Sequence, residues 1–348
     1  MGVDWAKPVK YKIMSAKRKR YFGRVVDAEA GIVLLSDYVN LYKFSKEINK
    51  SLKSGLHIVC GLCWSLESPK RVLKILAFVL RNRLLFPKIK ISILANTPKE
   101  HRVLQLLRLF NVKCVYCNHN CFIDERVMTV KPNAAKHYDA VYNGVLSAYK
   151  RHLLAKDVKR LALITYRFEN QDYKNYLDQH LADPVWINYA DGSQPSFLNN
   201  EQVVEVYNAS HAGLALSAIE GPMFASCEYL FCGIPVVTTK SKGGRDIFFS
   251  KENAVVVEDT AEAVAAAVQD LKDAAKDPYA IREKTLELAM QHRKQFAGHI
   301  NSILRSKGFT YNCEDTRDKW FVHKMRGDLY ADELIEALNA FYEPKPSY

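Results

Sequence analysis

SHAGLALSAIEGPMFASCEYLFCGIPVVTTKSKGGR, running from Ser210 to Arg245, is the stretch on which the reading of this chain turns. It reads as a short strand, a turn at Ile219–Glu220, a helix entered through Pro222, a glycine stop at Gly233 and a second strand. A helix N-terminus at the C-terminal edge of a parallel sheet is an anion site, because its free N–H groups and its dipole favour phosphate. Two carboxylates beside such a site do not suit phosphate. They suit hydroxyls, since an ionised carboxylate only accepts hydrogen bonds and fits a vicinal diol. Glu220 and Glu228, eight residues apart, would stand about 80° apart on a helix and some two turns along it. A ligand with a diol at each end of a diphosphate uses such a pair.

The same alternation of short apolar runs and helical patterns extends in both directions. On the N-terminal side, Ile32–Ser36, His57–Cys63, Ile89–Ala95 and Lys113–Cys117 read as buried strands. Lys43–Leu52, Pro69–Leu85 and Glu100–Phe110 read as the helices between them. The rhythm restarts at Tyr138. Tyr138–Tyr142, Leu161–Tyr166, Val185–Tyr189, Gly213–Leu216, Ile234–Thr238 and Ala254–Val257 are the further strands, and Ala331–Phe341 closes the chain with a helix. Repeated β-α units imply parallel sheets covered on both faces. Two halves joined near Val130–His137 fit 348 residues better than one very large sheet.

The quoted stretch resembles the donor-binding motif of retaining GT-B glycosyltransferases, family 4 and its glycogen-synthase-like relatives. The matching positions are Ser217, Glu220, Gly221, Glu228, Gly233, Pro235, Val236 and Val237, followed by Gly243–Gly244. Upstream, Tyr138–Ala155 is similar to the first strand of the family's second domain through Gly144, Leu146 and Lys150, with Val145 where the family has arginine. The resemblance covers about residues 138–271. It implies an α/β GT-B fold, in which two Rossmann-like domains face a cleft and a C-terminal helix crosses back to the first. The expected divisions are a basic leader at 1–24, an acceptor domain at 25–135, a donor domain at 136–310 and a returning segment at 311–348.

The resemblance also implies roles. Glu220 would contact the donor sugar and Glu228 the ribose, while Lys150 neutralises the diphosphate leaving group beside Gly144. Arg151 would compensate for Val145. Backbone amides after Gly221, those of Met223 and Phe224 because Pro222 has none, would hold sugar and phosphate. The base is expected between the Tyr166–Arg167 and Asn188–Tyr189 turns. Retention in the family is described as front-face substitution, which rests on positioning and on stabilising the leaving group. No Asp-x-Asp occurs, so no metal and no cofactor is expected, the nucleotide-sugar itself being the substrate.

Composition bounds the rest. Hydrophobic residues make up 48% and charged residues 25%, an ordinary globular balance. No apolar run is long enough for a spanning helix, and the N-terminal residues lack a signal-peptide core. Eight cysteines without an export signal read as reduced thiols in the cytoplasm. The formal charge is +12, concentrated in the leader among Trp5, Tyr11, Tyr21 and Phe22, and around Pro69–Leu85. That helix has two readings, a core helix with snorkelling lysines and arginines or one lying on an anionic membrane. The GT-B resemblance favours the membrane and, with it, a glycan or lipid-linked acceptor in cell-surface polysaccharide synthesis. No motif for nucleic acid is present, so none is expected as a partner. His119 is either an acceptor-side group or a loop or core histidine. Cys60-x2-Cys63 and Cys114-x2-Cys117, with Cys121, have zinc-like spacing but fall in or beside strands, where buried cysteine is common. A phosphorylase or epimerase of the same fold, and a catalytically silent scaffold, are the rival functions.

Overall fold

The computed structural model describes residues 19–53, 55–166, 171–182, 184–189, 195–313 and 321–341. Most of the basic leader, and Arg167 of the expected base-binding turn, lie outside these residues. In chain order the strands are β1 (Arg20–Asp27), β2 (Ile32–Leu35), β3 (Leu56–Cys60), β4 (Ile89–Ala95), β5 (Lys113–Tyr116), β6 (Tyr138–Asn143), β7 (Leu161–Ile164), β8 (Val185–Trp186), β9 (Ser210–Ala215), β10 (Val236–Thr239), β11 (Ala254–Val257) and β12 (Gly327–Tyr330). The helices are α1 (Leu41–Ile48), α2 (Pro69–Leu85), α3 (Pro98–Leu104), α4 (Gln171–His180), α5 (Asn200–Asn208), α6 (Phe224–Phe231), α7 (Ala261–Asp273), α8 (Pro278–Ser306) and α9 (Ala331–Asn339).

Among the described residues these strands form two six-stranded sheets, ordered β12-β1-β2-β3-β4-β5 and β11-β10-β9-β6-β7-β8. The second is parallel throughout. Its chain runs outward from β6 to β8, then from β9 to β11 on the other side. The order therefore reverses between β6 and β9, the crevice where open α/β sheets bind ligands. The first sheet is parallel from β2 to β5, with antiparallel β1 and β12 at one edge.

Packing follows the two-residue period of the strands. Val33, Leu35, Ile58, Cys60 and Ile93 point into a core shared with Leu41 and Phe44 of α1 and with Ile75 and Val79 of α2. Their neighbours Ile32, Leu34, Val59 and Leu94 point the other way, into a core continuous with the second domain and with Phe296 and Ile300 of α8. That helix begins at an Asp277 cap, whose side chain accepts from the Tyr279 N–H, with Pro278 at its first position. It crosses from α6 to β5 and so spans both domains. Arg293 on α8 donates to the carbonyls of Cys121 and Ile123, each at 2.7 Å, and to the Glu125 carboxylate, fixing the chain between the domains.

The C-terminal segment returns to the first domain, as expected. Strand β12 pairs with β1, and Leu334 and Leu338 of α9 enter the first-domain core. Two expectations need correction. Residues 20–24, read as the end of a basic leader, open β1 instead; Tyr21 and Gly23 are buried while Arg20, Phe22 and Arg24 face outward or lie partly exposed. Their basic side chains overlie a strand alternation. The expected helix Glu100–Phe110 is α3, capped by the Thr97 hydroxyl, followed by a 3₁₀ segment that stops at left-handed Asn111 (φ 57°).

Candidate active site at the inter-domain cleft

The C-terminal edges of both sheets face each other, and the loops leaving them meet. Gly221, in the loop after β9, lies so close to the loop after β3 that a Cβ would sit 2.3 Å from the Cys63 carbonyl oxygen. Gly243 (φ 108°) leaves 1.8 Å between such an atom and the Glu220 carbonyl oxygen. Both positions exclude a side chain. The loop carrying Glu220 is held by backbone bonds, Glu220 N–H to Lys242 at 3.0 Å and Lys242 N–H to Ala218 at 2.9 Å. Opposite, buried Glu100 accepts from the Leu66 and Asn96 N–H groups, each at 2.9 Å, and so ties two first-domain loops together.

Glu220 and Lys150 come together. Lys150 Nζ lies 2.5 Å from Glu220 Oε2, and both side chains are buried. Lys150 ends a 3₁₀ turn after β6, anchored because Tyr142 donates to its carbonyl. Its stem runs over Gly144, with Cε 3.5 Å from where a Cβ would stand. The pair thus sits at the reversal point between β6 and β9. Burial, then the nearby Lys150 charge, depresses His152 to about 3.

Glu228 is separate. Glu220 precedes helix α6 rather than lying on it, because the helix begins at Phe224 with Met223 as its cap. The expected angle between two carboxylates on one helix therefore does not apply. Glu228 is buried in the second turn, where its Oε2 accepts from the Tyr207 hydroxyl at 2.9 Å. Tyr207 in turn accepts from Asn143 Nδ2 at 2.6 Å, and the Asn143 N–H donates to Tyr229 at 2.8 Å. The end of β6 is thereby connected to α5 and α6. Glu228 Oε1 is ion-paired with Lys324.

Other expected residues have different occupations. Arg151 donates to the Leu216 carbonyl at 2.6 Å, to the Thr239 hydroxyl at 2.5 Å and to Asp259 at 2.7 Å, so its guanidinium closes the edges of β9 and β10. Its hydrogen bond and charge hold Asp259 below the usual carboxylate range. Asn188 bridges the Thr165 and Ser196 carbonyls at 2.6 and 2.8 Å and accepts from the Thr165 N–H at 3.1 Å; this positions the loops rather than leaving an amide free for a base. Tyr166 is exposed. His119 is buried against Phe122, with Nε2 lacking a hydrogen-bond partner among the described residues. Burial, then the charge of Arg326, depresses its pKa to about 3, so the ring is neutral near pH 7.

No local sequence signal marks Tyr207, Asn143, Lys324 or Arg326. The last two arrive from the returning segment, and nothing near them in sequence marks a cleft. For the cysteines, Cys60 and Cys114 flank Ile93 on successive strands. All eight are free, and no group of three His, Cys, Asp or Glu residues suited to a metal occurs among the described residues.

Residues 194–287 match the family described as Glycosyl transferases group 1. Among solved structures, the chain is similar to HepE from Anabaena in complex with UDP-glucose, with 17% identity, a TM-score of 0.51, and coverage of 71% of this chain and 72% of that one. Sucrose-phosphate synthase from Thermosynechococcus elongatus is similar at 12% identity and TM-score 0.51, covering 79% and 73%. The pneumococcal O-GlcNAc transferase GtfA, in complex with UDP and GlcNAc, is similar at 13% and TM-score 0.52, covering 80% of this chain and 57% of that one. No curated protein matches in sequence. The two facing sheets and these likenesses make the architecture GT-B.

Proposed function

We propose that this protein is a retaining, metal-independent glycosyltransferase that moves a sugar from a nucleotide-diphosphate donor to a glycan or lipid-linked acceptor. The observation that carries the reading is the buried Lys150–Glu220 pair, set at the sheet reversal, with Glu220 in the loop that leads into the helix carrying Glu228. In this reading Glu220 binds sugar hydroxyls, Glu228 binds the ribose, and the N–H groups of Met223 and Phe224 face phosphate. The bond between the sugar's anomeric carbon and the β-phosphate oxygen breaks, and its electron pair leaves with the phosphate. The acceptor hydroxyl oxygen bonds to the same face of that carbon, and its proton passes to the departing phosphate. Positioning and electrostatics then supply the rate, and no protein base is required. The Anabaena, pneumococcal and Thermosynechococcus likenesses support the fold on which this chemistry rests.

The acceptor side supports a membrane-bound substrate. No helix among the described residues is long and apolar enough to cross a membrane. Helix α2 buries Ile75 and Val79 but leaves Leu84 82% exposed. The 3₁₀ segment before β5 leaves Leu109 83% exposed. Because β4 and β5 are parallel neighbours, both leucines lie near the same edge of the sheet. Arg81 covers the Tyr42 ring at 4.1 Å, and Tyr42 lines a groove rimmed by Lys19, Arg20, Lys43, Lys46 and Lys50. Exposed leucines and grouped cations on the same domain suit the headgroup region of an anionic bilayer. The location proposed is the cytoplasmic face of such a membrane, in synthesis of a cell-surface polysaccharide.

The test is thermal stability against UDP-, GDP-, ADP-, TDP- and CMP-sugars, for wild type and Glu228→Ala in parallel. A ligand that binds only the folded state, at 100 times its dissociation constant, adds about 2.7 kcal/mol. One nucleotide series should stabilise wild type and not the variant. No shift with any of them overturns the donor site and leaves a silent scaffold of the same fold.

A further inference from the structure

Val145 is fully buried, so this chain carries no charge where the resembled family has arginine. The two cations next to it in sequence are already committed, Lys150 to Glu220 and Arg151 to Asp259. A nucleoside diphosphate still needs positive charge at the start of α6, because the helix dipole alone offsets only part of one unit.

The returning segment brings that charge. His323, Lys324 and Met325 take left-handed backbone conformations in succession, with φ of 49°, 57° and 50°, and none is glycine. Such backbone persists where the surroundings over-determine it, and it clusters at ligand sites. Here it buries Met325 completely and turns the residues on either side into the cleft. Lys324 Nζ lies 5.2 Å and Arg326 Cζ 4.6 Å from the centroid of the Phe224 ring. Phe224 is the first residue of α6, so both cations stand beside the side chain that opens that helix. Arg326 also donates to Cys63 Sγ at 3.4 Å, in the loop after β3. Lys324, Arg326, Phe224 and His119 close around a space of only about 10 Å³, and the buried Nε2 of His119 is left unpartnered beside it among the described residues.

We propose that Lys324 and Arg326 hold the donor's diphosphate, supplying from the C-terminal segment the charge that Val145 withholds. The proposal rests on the donor-site reading above. Lys324 neutralises Glu228. When a donor enters, ribose hydroxyls occupy Glu228 and the ammonium swings to phosphate. That space of about 10 Å³ is far below the ~300–1,000 Å³ typical of ligand pockets, so donor entry requires the segment to move aside while its cations remain in contact.

The experiment is calorimetric titration of wild type, Lys324→Gln, Arg326→Gln, the double variant, Lys324→Arg and Glu228→Ala. The probes are UDP, GDP, ADP, their nucleosides and inorganic pyrophosphate. Charge-assisted bonds of this class lead us to expect about a tenfold loss of diphosphate affinity for each single variant and about a hundredfold for the double. Nucleoside affinity should stay within about twofold, and Lys324→Arg, which keeps fold and charge, should stay near wild type. Pyrophosphate should lose affinity in parallel. Unchanged or tighter diphosphate binding by Lys324→Gln, with Glu228→Ala still losing the nucleoside, overturns this proposal alone and makes the segment an occluding plug. Nucleotide binding that Glu228→Ala leaves intact, or none by wild type, removes the donor-site reading and this proposal together.

Discussion

Lowering the pH from 7.5 to 5.5 should cost this protein most of its stability. His57, His119, His152, His292 and His299 are all buried. Burial is the first cause that depresses each, His57, His119 and His152 to about 3 and His292 and His299 to about 4. An unfolded histidine titrates near 6.5. Between these values the unfolded chain binds protons that the folded chain refuses, so stability present at neutral pH is lost as pH falls below about 6.5. One pH unit below that point costs about 1.4 kcal/mol per histidine, hence about 7 kcal/mol for the five. Total stabilities run to about 5–15 kcal/mol. Asp37 and Glu100, which burial raises, act in the opposite sense but only nearer the carboxylate range. Urea unfolding followed by tryptophan fluorescence at closely spaced pH values measures the loss. Its slope near pH 5.5 should approach five protons per molecule. His299, whose ring nitrogens both lack partners among the described residues, offers a control: His299→Leu should lower that slope by one and raise stability at pH 5.5. A free energy of unfolding flat to within about 1 kcal/mol across this range refutes the argument. Four of the five lie where α8 meets the first domain, so acid should open that seam first.

Gly221→Ala should lower stability by about 1–3 kcal/mol and weaken nucleotide binding, because its Cβ forces the Cys63 loop away. Gly144→Ala, whose Cβ would meet nothing closer than 3.5 Å, should change the melting temperature little, and scanning calorimetry of both variants separates the cases. On the membrane face, Leu84→Asp with Leu109→Asp should reduce sedimentation with phosphatidylglycerol vesicles about tenfold and leave the melting temperature unchanged. Equal sedimentation would remove that face.

Strand and helix placement was largely legible because buried parallel strands are continuous Val/Ile/Leu runs. Ile89–Ala95, Ala254–Val257 and Pro69–Leu85 have the expected limits. The meeting of Lys150 with Glu220 was legible for a related reason: Glu220, Gly221, Glu228 and Gly243 all lie in one stretch, and the fold brings Lys150 to it through the neighbouring strand. What escaped was non-local. Nothing near Arg151 in sequence marks Asp259, 108 residues away, as the partner of its guanidinium. The bonds from the Asn188 amide to the Thr165 and Ser196 carbonyls are likewise set by tertiary contact and have no local sequence signal. Strand β1 was concealed by its charge, and its partner β12 lies at the far end of the chain.

That pairing has a consequence for synthesis of the protein. The first domain leaves the ribosome early, but Arg20 finds its partner Tyr330 only after some 310 further residues. At about 5–20 residues per second this interval is roughly 15–60 s. Throughout it, β1 is a bare sheet edge able to pair with another nascent chain. The outward-facing Arg20 and Arg24 place charge on that edge while it waits. A transcript cut short before β12 would therefore yield an aggregating first domain rather than a working fragment.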